Sequence, residues 1–229
     1  MADDSALARA GKLLLPRLVI ASNGASIALF HKSVNFKELL LEADIIDADG
    51  MPLVIATRLF CRAPLPDRIA TTDFIHDAAA VAVRDGLRFF FLGAEPGVAA
   101  LAAKKIAQRH PGLQIVGVRH GYFKPEEEAQ ICEEIVASRA DVLWVGLGTP
   151  MQERFAVANR HRLEGLAWIR TCGGLFDHSS GRFPRAPIWM QRAGFEWLHR
   201  AMLEPLRLGG RYLMTNPSAI YHLATKTHD

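Results

Sequence analysis

Cysteine is scarce and scattered in this chain. Cys61, Cys132 and Cys172 include no CxxC pair, which argues against a disulfide framework and for a reduced, cytosolic setting. Nine histidines are present, yet none falls in an HExxH or in a Cys/His cluster with zinc spacing. Long apolar runs are missing too, and no stretch approaches the ~20 residues that a spanning helix needs. The greasy run nearest the N-terminus, Leu13 to Leu15, is cut by Pro16 and Arg17 and preceded by Asp3 and Asp4, a poor signal peptide. Internal repeats and low-complexity segments are absent. Charge of one sign is only weakly in excess, at +3 with a pI near 8.9, too little to argue for nucleic acid.

What is present is a chain of 229 residues, half of them hydrophobic, enough to bury a sizeable core. The charge is unevenly spread. From Gly181 onward seven Lys/Arg face three Asp/Glu, so this tail carries +4 and everything before it −1. Short apolar runs read as strands over 17–22, 44–50, 88–93, 113–120, 142–147 and 167–172. Helical patterns fill the gaps: 25–31, 36–43 with Asn35 as cap, 51–60, 74–84 with Thr72 or Asp73 as cap, 97–110, 125–137 and 150–162. This alternation predicts an α/β protein with a Rossmann-like, doubly wound parallel sheet over residues 1–180. Residues 181–229 read as a separate basic, amphipathic helical appendage, in which Glu196 precedes Arg200 by four and Glu204 precedes Arg207 by three.

Ligands of such sheets bind outside the carboxyl ends of the strands. Those ends carry Asn23, Asp49-Gly50, Gly93, Gly121, Gly148 and Gly173-Gly174. The most telling is the corner Gly146-Leu147-Gly148-Thr149-Pro150-Met151-Gln152-Glu153. A buried strand ends there, the backbone turns on glycine, and a helix N-terminus begins, a setting suited to a diphosphate or another anion. Gln152 adds a side-chain amide to that first turn. The corner lacks the third glycine of the dinucleotide fingerprint, which speaks against NAD, and a plain strand-to-helix turn is the simpler alternative. Asp47-Ala48-Asp49-Gly50 also has several readings: a D-x-D holding a divalent cation against a diphosphate, a general base at Asp49, or an acidic strand end that only caps a turn. In the tail, arginines interleaved with Trp189 and Trp197 favour a membrane surface or an anionic ligand over a merely solvated face.

Taken together, these segments resemble the WecG/TagA/CpsF family of bacterial glycosyltransferases. The likeness runs from about Leu18 to Leu213. It rests on Glu42 through Gly50, Arg68 to Phe74, Phe91-Leu92-Gly93, His120 to Phe123, the 146–153 corner and Gly173 to Asp177. In the tail it continues through Gly181 to Pro187, Phe195 to Arg200, Glu204-Pro205 and Arg211-Tyr212-Leu213. The resemblance implies an inverting transfer, without metal or other cofactor, from a UDP-sugar to a polyprenyl-diphosphate-linked saccharide. On that reading Asp49 is the catalytic base, while Arg200, Arg207 and Arg211 neutralise the leaving diphosphate. The substrate-binding set comprises Asn23, Gly50, Asp73, Gly93, Gly148, Thr149, Pro150, Gln152 and Glu153. The enzyme would be cytoplasmic, with its tail on the inner face of the membrane that carries the acceptor, and closure could involve a homo-oligomer. No nucleic-acid partner is implied. Ala21 stands where the family usually has threonine, and Ala70-Thr71 where it has threonine and glycine. These departures leave the donor open among N-acetylmannosamine, its uronic acid and glucose. They also keep alive a non-catalytic nucleotide-sugar or membrane-binding protein of the same fold.

Overall fold

The computed structural model describes residues 1–228, with Arg207 described in its backbone only. Its strands are β1 (Arg17–Ser22), β2 (Ile45–Ala48), β3 (Arg88–Gly93), β4 (Gln114–Arg119), β5 (Val142–Gly146) and β6 (Trp168–Thr171). Among them run α1 (Ala2–Arg9), α2 (Gly24–Lys32), α3 (Val34–Leu41), α4 (Met51–Phe60), α5 (Thr71–Asp85), α6 (Val98–Arg109), α7 (Glu128–Ala137), α8 (Met151–Ala158) and α9 (Leu175–Ser179). The tail forms α10 (Ile188–Arg192), α11 (Glu196–Leu203), a π-helical turn over Pro205–Gly209, and α12 (Gly210–Lys226).

The strands make one six-stranded sheet in the order β2-β1-β6-β5-β3-β4. β1 pairs with β6, β6 with β5, β5 with β3 and β3 with β4, all parallel. This is the Rossmann-like, doubly wound α/β architecture expected from the alternation of strands and helices. The chain packs as two compact units. The first holds Met1–Ile20, Glu42–Ile45 and Thr71–Arg182; the second holds Ala21–Leu41, Ile46–Ala70 and the chain from Phe183 onward.

In the first unit every residue of β5 is buried, as are five of the six in β3. Strands covered on both faces must be apolar throughout, which is why they read as continuous greasy runs. Phe89 lies against Trp144 with ring centroids 5.6 Å apart, and Phe91 against Phe176 at 5.0 Å. Aromatic pairs of this kind each contribute about 0.5–1.5 kcal/mol beyond the area they bury. α6 buries Ala99, Ala102, Ala103 and Ile106, the stripe that a 3.6-residue period presents to a core. In the second unit α12 packs along α2, with Ala219 the close neighbour of Gly24.

Three local expectations are corrected. Helix α3 begins at Val34, one residue before Asn35; its first turn is held by Ser33, whose Oγ accepts from the Phe36 N–H at 3.3 Å. α5 begins at Thr71, so Thr72 and Asp73 lie inside its first turn instead of capping it. In the tail, Arg200 pairs with Glu204 at 2.9 Å, while Glu196 takes Arg68 at 2.6 Å and Arg185 at 3.4 Å. The Arg207 side chain lies outside the described residues.

The start of β5 is pinned by Asp141. Its buried carboxylate accepts from Arg9 at 2.8 Å through both oxygens, and from the Arg88 backbone N–H at 2.8 Å and its guanidinium at 3.1 and 3.3 Å. Burial alone would push this carboxyl up, but the hydrogen bonds from Arg9 and Arg88 together hold it below its ordinary value of 3.8. An acid whose pKa is depressed by folding contributes stability above its ordinary pKa. That contribution disappears as pH falls through the lowered folded value. Asp141→Asn is therefore expected to lower stability by about 2–3 kcal/mol at pH 7, the scale of lost hydrogen bonds to a buried charge. In urea unfolding the difference from wild type should shrink below pH 4.

Candidate active site

In the first unit the corner is built where β5 runs out. Gly148 adopts φ +77°, a left-handed conformation that glycine enters without penalty. The Thr149-Pro150 peptide is cis, Pro150 occupies the cap position, and α8 starts at Met151. Gly93, at the parallel exit of β3, sits so close that a Cβ there would collide with the Gly146 carbonyl. Glycine at this position is thus a packing requirement between neighbouring strand exits.

Around this turn the side chains bind one another. The Gln152 amide oxygen accepts from the Gly173 backbone N–H at 3.0 Å, and its Nε2 donates to Glu153 Oε1 at 2.9 Å. The Thr149 hydroxyl donates to the same Glu153 oxygen at 3.1 Å. Gln152 and Glu153 are both buried. Glu153 Oε2 has no hydrogen-bond partner, and burial raises the carboxyl's pKa against weaker pulls from Gln152, its own backbone N–H and Thr149. The Gln152 amide joins the β5 exit to the loop after β6. Asp73 lies exposed in the first turn of α5. A separate cleft of about 370 Å³ at the exits of β3 and β4 is lined by Glu95, Gly97, Val118, Arg119, His120 and Glu134 among others. It contains none of the sequence-predicted site residues.

In the second unit Asp49 follows the end of β2. Its backbone N–H donates to the Ser22 carbonyl at 2.8 Å, which fixes the strand exit, and its side chain is half-buried. Gly50 lies beside Asn23: a Cβ built on Gly50 would stand 3.8 Å from that of Asn23. Asn23 caps α2, its Oδ1 accepting from Ala25 N–H at 3.0 Å and Ser26 N–H at 3.4 Å. The oxygen end of this amide is therefore committed to the helix, and the Nδ2 end is left to donate. Asp47 is buried one pleat earlier.

Arg200 and Arg211 make their described contacts within their own unit. Arg200 stacks over Phe183 at 4.3 Å besides pairing with Glu204. Arg211 is exposed in the first turn of α12 and stacks over Tyr212 at 5.0 Å. Two further cations went unassigned in the sequence reading. Arg68 and Arg185 converge on Glu196, and both also donate to the Gln191 Oε1, at 3.2 and 2.8 Å. Gln191 Nε2 in turn donates to the Ala186 carbonyl at 2.7 Å. No spacing rule finds this cluster, because Arg68 and Glu196 are 128 residues apart in sequence.

The parallel sheet, with glycine turns at its strand exits, defines a Rossmann-like α/β protein. Within that class the chain belongs to the glycosyl transferase WecG/TagA/CpsF family, whose family model matches residues 4–228. It is accordingly a glycosyltransferase of cell-surface polysaccharide synthesis.

The cap role of Asn23 is open to test. Asn23→Ala should lower stability by about 1 kcal/mol through loss of the cap, whereas Asn23→Asp, an equally good cap, should not. Thermal or urea unfolding of the two variants checks this.

Proposed function

We propose that this protein transfers a sugar, with inversion, from a UDP-sugar to a polyprenyl-diphosphate-linked saccharide. Asp49 is the general base in this reading. The observation that carries it is a half-buried carboxylate at a strand's carboxyl end, its backbone fixed by Ser22 and followed by Gly50, which lies beside Asn23. Asp49 takes the proton from the acceptor hydroxyl as that oxygen attacks the anomeric carbon. The bond from that carbon to the diphosphate oxygen breaks, and its electron pair leaves with UDP. Fixed positive charge stabilises the departing phosphate: in this proposal the α8 N-terminus at Gly148 to Gln152, with Arg200, Arg207 and Arg211 of the tail. Gln152 and Glu153 act by shaping that corner, and the Asn23 Nδ2 donates to the sugar. N-acetylmannosamine, its uronic acid and glucose are the donors to be tried.

The same reading puts the protein on the inner face of the cell membrane. The tail leaves Ile188, Trp189, Met202, Leu206, Leu213 and Met214 exposed, with Arg192 and Arg211 exposed among them. Apolar side chains interleaved with arginine are the composition of a surface that lies on anionic lipid. No helix among the described residues is long and apolar enough to cross a membrane.

The test is UDP release with a panel of UDP-sugars and a short-chain polyprenyl-diphosphate-GlcNAc acceptor, in EDTA throughout. Wild type should release UDP only with acceptor present. Asp49→Asn should lower kcat by about 10²–10⁴-fold, the usual worth of a general base, while still binding UDP. Full turnover by Asp49→Asn would remove the base assignment. Turnover that needs Mn²⁺ would replace this scheme with a metal-dependent one through Asp47 and Asp49.

A further inference from the structure

The carboxyl of Glu153 poses a problem that the transfer chemistry does not address. It is fully buried at the first turn of α8. One oxygen, Oε1, accepts from both Gln152 Nε2 and the Thr149 hydroxyl, while Oε2 meets no donor at all. An ionised carboxylate carries charge on both oxygens, and a bare charged oxygen in a dry site is strongly unfavourable. A neutral acid lowers that cost to that of one unpaired buried hydroxyl, with its proton on Oε2 and its acceptor capacity concentrated on Oε1.

Among the described residues, the arginines on α8, in the turn after it and on β6 make their contacts elsewhere. On α8 itself, Arg154 is turned to Glu128 at 3.0 Å. In the turn that follows, Arg160 binds Asp44 and the Pro16 carbonyl, and Arg162 binds the Asn159 side chain. On β6, Arg170 lies over the Phe74 ring. β5 brings only apolar side chains and glycine. None of these arginines hydrogen-bonds Glu153, whose carboxyl is met only by the neutral donors Gln152, Thr149 and its own backbone N–H.

We propose that Glu153 is the positioning residue of the corner, a neutral buried acid that fixes the Gln152 amide between the β5 and β6 exits and keeps negative charge away from the bound diphosphate. The chain of contacts runs from Thr149 through Glu153 and Gln152 to Gly173, so a single protonated carboxyl sets the register of two strand-exit loops. Its neutrality matters because the helix N-terminus that attracts an anion would otherwise be answered by its own glutamate. The second half of this proposal rests on the reading of the corner as the diphosphate site; the first half does not.

Glu153→Gln copies the neutral acid in shape and keeps an acceptor oxygen. The first arm measures stability of both proteins by urea unfolding from pH 4.5 to 8.5, without ligand. An acid whose pKa is raised by folding destabilises the fold progressively as pH rises from its ordinary value of 4.5, because the unfolded chain ionises first. Wild type should therefore lose stability relative to the variant across that range, and a constant offset between the curves would overturn the neutral-acid assignment. The second arm measures UDP affinity by calorimetry from pH 6 to 9. UDP's own ionisation is common to both proteins. Wild-type affinity should fall with rising pH on the order of tenfold more than that of the variant, the effect of a like charge beside the ligand. Identical pH profiles would overturn the charge-exclusion half. Absence of UDP binding in both proteins would remove the corner reading and leave the stability arm standing by itself. If Glu153→Gln does not fold, carboxyl ¹³C titration of glutamate-labelled wild type serves instead. One glutamate titrating above the others supports the assignment, and all titrating together contradicts it.

Discussion

The constraint on which the first unit depends is the complete burial of β5. A strand with no exposed residue offers water to nothing at either end, so both of its termini must be satisfied by protein. At its start, Asp141 is answered by Arg9 and Arg88. At its exit, the backbone turns on Gly148 and closes through Thr149, Gln152 and Glu153 onto Gly173. The two acids meet opposite fates under the same burial. Asp141 has guanidinium partners and stays ionised, whereas Glu153 has only neutral donors and is driven toward the protonated form. Partner chemistry, rather than depth, decides which way a buried carboxyl titrates.

The second unit has a different economy. Its tail helices bury few residues, none at all in α11, and α10 and α11 carry a dense set of polar contacts. Glu196 gathers Arg68 and Arg185, Gln191 bridges the same two arginines, and Arg200 is fixed by Glu204 and the Phe183 ring. Guanidinium groups held this way keep their charge and their orientation at once. A tail built so can carry exposed apolar side chains without collapsing onto them. That is a useful property for a surface proposed to lie on lipid.

Much of the fold was legible in the sequence. β1, β3 and α4 were bounded correctly to the residue, because apolar runs there stop at Asn-Gly, at glycine or at a proline-rich loop. Boundaries failed where two residues competed as caps. Asn35 looked the better cap, but Ser33 closes α3; Thr72 and Asp73 looked like caps, but α5 already begins at Thr71. The turn after β5 is legible from Gly148 and from the helix that begins behind Pro150, and the end of β2 from Asp49-Gly50. What the sequence could not reveal is who binds whom. Gln152 reads as a free amide until Gly173 is seen to occupy it, and Glu196 reads as a helix partner of Arg200 until Arg68 and Arg185 arrive from elsewhere. Spacing rules carry local contacts only, and these partners are joined by folding.

The central claim is that the β5–α8 corner holds the donor's diphosphate. A crystal structure of the protein with UDP tests it most directly. The account predicts diphosphate density against the backbone of Gly148 to Gln152, with the Thr149–Glu153–Gln152–Gly173 contacts intact. UDP bound with its phosphates at another strand exit, and this corner closed on itself, would contradict it.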